Sequence, residues 1–202
     1  MELWDVLKRR KTVRRFEQRP VPTDAVDRVV ASVVHAPSAG YTQGNEYLVL
    51  DDPATVTEFF RITDDPDEPL TDEEWATLPP VVIVPLSNET AYVARYSEPD
   101  KIEYGLDDAS RWPVPYWDVD AGMASMLMLL VAVDEGLGAW FSGIAANEAE
   151  AMTRFGVPET FRPIGWIGIG YAAETVASPG PKASGSTRRR RPVEELVHRN
   201  GW

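Results

Sequence analysis

Four short segments carry the side chains that could do chemistry. Arg10-Lys11-Thr12-Val13-Arg14 puts three cations and a hydroxyl within five residues, with Arg15 and Phe16 following. Such a set can surround a phosphate with charge-assisted hydrogen bonds. Pro37-Ser38-Ala39-Gly40, with Gln43 beyond it, is a loop of small residues that lets backbone amides approach a flat ligand. Gly136-Leu137-Gly138-Ala139-Trp140-Phe141-Ser142-Gly143 and Thr187-Arg188-Arg189-Arg190-Arg191-Pro192-Val193-Glu194-Glu195-Leu196-Val197 are the other two. The chain has no cysteine, which excludes disulfides, thiolate nucleophiles and cysteine-held zinc or iron–sulfur centres. Only His35 and His198 are present, so a three-histidine or HExxH metal site is excluded and no metal is expected.

Charge sharpens the contrast between these segments and the rest. The net charge is −12, which argues against nucleic acid and anionic membrane as partners. Of 20 Lys and Arg residues, six lie within 8–15 and four within 188–191, whereas 51–120 hold 18 acidic residues against four basic ones. Either the two basic ends converge on something anionic, or both are solvated tails.

The elements that must position these groups can be read in outline. At 202 residues and 44% hydrophobic, the chain suits one domain with a real core. A short helix is expected over 3–10, with Leu3 and Leu7 one turn apart. Thr23 is expected to N-cap a second helix, with Val26, Val29, Val30 and Val33 on one face and Pro37 ending it. A strand over 47–50 follows, then a helix around 55–60 and a polar loop. The apolar runs 81–86 and 164–171 read as strands covered on both faces. Residues 118–134 predict a helix apolar on every side, buried in the fold or at a subunit interface. Its longest apolar stretch, 121–133, is short for a bilayer of about 30 Å. No signal peptide is seen at the start, and a cytoplasmic protein is expected. Asn147 and Glu150 have the spacing of a capping box for a helix ending at Gly156. Residues 87–117 give no firm pattern, 174–187 read as a linker, and 188–202 as a basic C-terminal arm. The class is α/β with four or five strands.

The order of the four segments resembles the nitroreductase family of FMN-dependent oxidoreductases over nearly the whole chain. Arg10 to Phe16 is similar to that family's opening Arg-Arg-Ser-x-Arg-x-Phe motif. Ala36 to Gln43 keeps the frame of its Ala-Pro-Ser-Ala-Gly-Asn-x-Gln loop. The Gly-Leu-Gly turn after a long apolar helix and the Arg190-Arg191-Pro192-Val193-Glu194-Glu195 terminus complete the likeness. The resemblance implies a nitroreductase-like α+β fold with a central, mostly antiparallel sheet flanked by helices. It implies a single domain, 1–202, in an intertwined homodimer whose arm 188–202 reaches the partner subunit. It implies that FMN is bound at the interface, with Arg10, Lys11, Thr12, Arg14, Arg188 and Arg190 on the phosphate. Pro37, Ser38, Ala39 and Gln43 would line the ribityl chain or ring, and Ser142 and Gly143 would offer backbone groups to it. NAD(P)H is the implied donor and a flat nitroaromatic or quinone the implied acceptor, by ping-pong hydride transfer through the flavin.

The sequence departs from the family pattern at Tyr41, where Asn is usual, and at Gly44-Asn45, where Pro-Trp is usual. Tyr41 is a candidate substrate or flavin-edge residue; no catalytic side chain is otherwise assigned. The acids of 61–76 and the aromatics Tyr104, Trp112, Tyr116 and Trp117 suggest a rim suited to flat or cationic molecules, or ordinary packing under a loop. A flavin- or deazaflavin-sequestering protein, or a flavin-consuming, dehalogenating or heterocycle-oxidising enzyme, remain alternatives.

Overall fold

A computed structural model describes residues 1–173 and 189–202 of the chain. Its centre is β2, Val81–Ser87, whose every residue is buried. Alternation along it feeds two cores: Val81 and Ile83 point to one face, Val82, Val84 and Leu86 to the other. β1, Glu46–Leu50, pairs antiparallel with one edge of β2, and β5, Trp166–Gly170, with the other. β3, Gly138–Ser142, then pairs antiparallel with β5, giving the order β1-β2-β5-β3. The two-residue β4, Arg162–Pro163, joins the far end of β2. The sheet is antiparallel in every pair, as expected.

Helices cover both faces. On one side lie α2, Thr23–Ala31, and α6, Tyr116–Asp134, which bring Val26, Val29, Met128 and Ala132 against Ile167 and Ile169. On the other lie α3, Pro53–Thr63, and α7, Glu148–Arg154, with Phe59, Phe60 and Met152 around Trp166. α6 is long and apolar enough, by length and composition, to cross a membrane; in this fold its Ala121, Ala124, Met128 and Ala132 are buried in the core. The remaining helices are short: α1, Leu3–Arg9; α4, Asp72–Trp75; and α5, Glu89–Tyr96.

Several local expectations are corrected. Val6, not Leu3, is the buried residue of α1. Thr23 is the first residue of α2, and the N-cap is Pro22, which makes no side-chain cap. Asn147 does stand at the N-cap of α7, but with φ 51° and no capping bond; its side-chain amide donates instead to the Ile62 carbonyl at 2.9 Å. A tertiary acceptor has outcompeted the local box. The polar stretch after α3 holds a capping box of its own, Thr71 with Glu74, which starts α4.

Candidate functional site

After α1 the chain runs extended along the free edge of β3. Thr12 bridges Ala139 in parallel, and the Val13 N–H donates to the Ala139 carbonyl at 3.0 Å. Gly138 makes this approach feasible: a Cβ there would sit 2.8 Å from a Val13 methyl. Val13 is buried, so alternation turns Thr12 and Arg14 to the opposite, exposed side. The Arg14 guanidinium lies 5.8 Å from the centre of the Trp140 ring. Lys11 goes the other way and, with Arg9, lines a hollow of about 220 Å³ at the Gly136–Gly138 turn. The sequence cluster is therefore split between two sides of one extended segment.

The charges of this segment are uncompensated. Among the described residues Arg9, Arg10, Lys11 and Arg14 have no carboxylate partner. Arg15, Arg28, Arg154 and Arg162 are each paired, with Glu73, Glu135, Glu58 and Asp118. In a chain of net charge −12, leaving these cations free fits a site for an anion.

At the other end of β3, Ser142 pairs with Trp166, whose indole N–H donates to the Gly143 carbonyl at 3.0 Å. Trp140 meets Trp166 edge-on at 4.8 Å, and Phe60 closes the cluster at 5.1 Å. A shallow hollow of about 150 Å³ between Trp140, Ser142 and Gly143 carries Asp64 and Asp65 at its rim.

The loop 37–45 is built separately. Gly40, Tyr41 and Gln43 all have positive φ (62°, 57° and 52°), and a Cβ at Gly40 would lie 2.6 Å from the Tyr96 ring. The strain is held by a network: Gln43 N–H donates to Ser38 Oγ at 2.9 Å, and Thr42 Oγ1 to the Ala39 carbonyl at 2.6 Å. Arg95 Nε donates to the Gly40 carbonyl at 3.0 Å, while its guanidinium grips Asp100 and holds that carboxyl down to about 2. From below, the buried Asp120 accepts the Ala39 N–H at 2.7 Å and the Tyr92 hydroxyl at 2.8 Å. Burial, and secondarily Asp120, pushes the Tyr47 hydroxyl up to about 12, so it stays protonated. Pro37, Ser38, Tyr41, Gln43, Tyr47 and Asp120 surround a cavity of about 230 Å³, with the exposed Tyr41 at its mouth. Asp120 was missed by sequence reasoning; its one signal is an acid inside the most apolar helix.

Ala39 and Gln43 are thus grouped with Ser38, and Thr12 and Arg14 with β3, but the cavity at the loop shares no residue with the hollows beside Lys11 and Gly143. Arg190 is exposed in the arm, where Arg191 pairs with Glu195 and His198 stacks on Trp202 at 4.2 Å. Arg188 lies outside the described residues. Of the suggested aromatic rim, Trp112 and Trp117 are buried against Tyr92 as packing, while Tyr104 and Tyr116 remain exposed.

Comparison with known proteins bears on what this arrangement is. A model described as "Nitroreductase family" matches residues 7–171. A protein of Methanothermobacter thermautotrophicus named NADH dehydrogenase/NAD(P)H nitroreductase is 24% identical over 186 residues, 90% of this chain and 82% of that one. Among solved structures, a nitroreductase family protein from Streptococcus pneumoniae TIGR4 superposes with TM-score 0.71 at 18% identity, covering 98% of this chain and all of that one. NfrA1 of B. megaterium gives TM-score 0.73 at 16% identity, covering all of this chain and 75% of that one.

Proposed function

The chain belongs to the nitroreductase family, and from that premise we propose that it is an FMN-dependent oxidoreductase taking hydride from NAD(P)H and passing it to a flat organic acceptor. The observation that carries this reading is the run Arg9, Arg10, Lys11 and Arg14, without carboxylate partners among the described residues, which leads onto the edge of β3 in a strongly acidic chain. One side of that segment fits a phosphate: Arg14 offers a planar fork and Thr12 a hydroxyl, while Lys11 on the other side adds positive charge nearby. When bound, the flavin supplies the hydride chemistry, accepting it from the nicotinamide and releasing it to the acceptor. Thr12 and Arg14, with Arg10 and with Arg188 and Arg190 of an arm, would hold the phosphate, and Lys11, expected there from the resemblance, faces the other side of the segment. Ser142 and Gly143 would present backbone groups, with Trp166 fixing the Gly143 carbonyl.

Pro37, Ser38, Ala39 and Gln43 would complete the site from a second copy of the chain, which agrees with their separation from the β3 groups in one copy. α6 supports such a partner, because Met123 and Met126 are exposed on a helix whose other side is core. We therefore expect a homodimer burying more than about 2,000 Å² in total. Light scattering at micromolar concentration should give twice the 22.5 kDa chain mass; a stable single-chain mass would remove the shared site.

Anaerobic stopped-flow of the two half-reactions tests the chemistry. His35 is exposed and His198 is stacked in the arm, so neither is placed as a proton donor. His35→Gln and His198→Gln should retain most of the rate of reduction by NAD(P)H, against the roughly 10²–10⁴-fold loss typical of a general acid–base residue. Tyr41→Asn should change oxidation by the acceptor and leave FMN bound. A hundredfold loss in a histidine variant, or unchanged acceptor kinetics in Tyr41→Asn, would move the chemistry elsewhere.

A further inference from the structure

Asp120 is the only buried carboxylate among the described residues, at 4% exposure. Its Oδ2 takes both hydrogen bonds, from the Ala39 N–H and the Tyr92 hydroxyl. Its Oδ1 has none, and the residue lines the cavity beneath the 37–45 loop. Both partners are neutral, and among the described residues no Lys, Arg or His pairs with the carboxylate. Arg95, the cation built into the same loop, is committed to the Gly40 carbonyl, Glu98 and Asp100.

Burying most of a carboxylate without a counter-ion is costly, two neutral hydrogen bonds to Oδ2 offset part of that cost, and the unpaired Oδ1 is the atom left open to a ligand. Asp120 lies about one turn inside α6, so the helix N-terminus relieves the charge without neutralising it. The other walls combine apolar and aromatic groups, among them Val33, Tyr41, Tyr47 and Ala124, with the neutral polar side chains of Ser38, Gln43 and Asn45. The cavity, about 230 Å³, has room for a single-ring molecule. Asp120 is the one charged side chain among the residues that line the cavity.

We propose that this cavity binds a flat organic cation, an amidinium, guanidinium or ring-borne ammonium, with Asp120 Oδ1 as its counter-ion. The proposal rests on the functional reading above, in which Pro37, Ser38 and Gln43 of this cavity also face the flavin held by a second copy of the chain. Where the flavin chemistry operates, it names the charge class of molecule held beside the 37–43 loop.

Benzamidine and its neutral counterpart benzamide are the probes, titrated into the purified protein while the Ala39 amide resonance is followed by NMR. The flavin content is recorded from the visible absorbance, so a failure of the flavin reading is a separate result. Benzamidine should bind roughly tenfold or more tightly than benzamide, as expected for a buried charge-assisted contact, and should shift the Ala39 amide. Asp120→Asn should bind the two probes alike. Equal binding by the wild type, no binding of benzamidine, an unmoved Ala39 amide, or a preference that survives in Asp120→Asn would each overturn the proposal. If Asp120→Asn does not fold, the wild-type preference and the Ala39 shift decide the matter alone.

Discussion

Arg14→Ala is expected to weaken FMN binding by about 10- to 100-fold while riboflavin, which lacks the phosphate, binds nearly as before. The loss corresponds to one charge-assisted hydrogen bond of roughly 1.5–3 kcal/mol. Arg14 has no carboxylate competing for its guanidinium among the described residues, and the guanidinium lies 5.8 Å from the centre of the Trp140 ring. Arg190→Ala should act in the same direction, because both groups would address one phosphate. The double variant should then lose less than the sum of the two single losses. Equilibrium titration of both ligands with each variant gives the answer. Equal losses for FMN and riboflavin would mean that these arginines support the fold and not the phosphate.

Trp166→Ala should be the most destabilising of the substitutions considered, by about 3–5 kcal/mol. The indole is buried, meets Phe59, Phe60 and Trp140 edge-on, and donates to the Gly143 carbonyl. Removing it opens a void in the core beneath β3 and releases the strand end that carries Ser142 and Gly143. Trp166→Phe keeps much of the packing and loses the donor, so it should cost less, near the roughly 0.5–1.5 kcal/mol of a neutral hydrogen bond plus a small void. Urea unfolding at one fixed protein concentration measures both. A Trp166→Ala midpoint indistinguishable from wild type would contradict the packing described.

The parts of the fold legible in the sequence are those whose signal is local and strong. Val81 to Leu86 is a continuous apolar run because β2 is buried on both faces, and α6 is apolar on one side because it packs on the sheet and on α2, while Met123 and Met126 on its other side are exposed. α4 and α5 were illegible. Each is short, without a full apolar period, and each depends on a cap: Thr71 with Glu74, and Asn88 Oδ1 accepting the Ala91 N–H at 3.1 Å. Asn147 shows the opposite failure, a correct local spacing overruled by a distant carbonyl.

The candidate site divides in the same way. Its segments were readable as an ordered set, because a run such as Arg10 to Arg14 declares its chemistry by residue type alone. The way they are arranged was not. That Val13 packs on Gly138, so that Lys11 and Arg14 face opposite ways, depends on a contact between segments far apart in the chain. Asp120 was hidden because its role as acceptor for Ala39 exists only once α6 passes beneath the loop.

The most direct measurement is the visible spectrum of the purified protein, supplied with FMN and titrated anaerobically with NADH and with NADPH. The account predicts a yellow protein that keeps its flavin through gel filtration and is bleached by one of the two donors, its colour returning when a quinone is added. A protein that retains no flavin, or one whose flavin neither donor reduces, would contradict it.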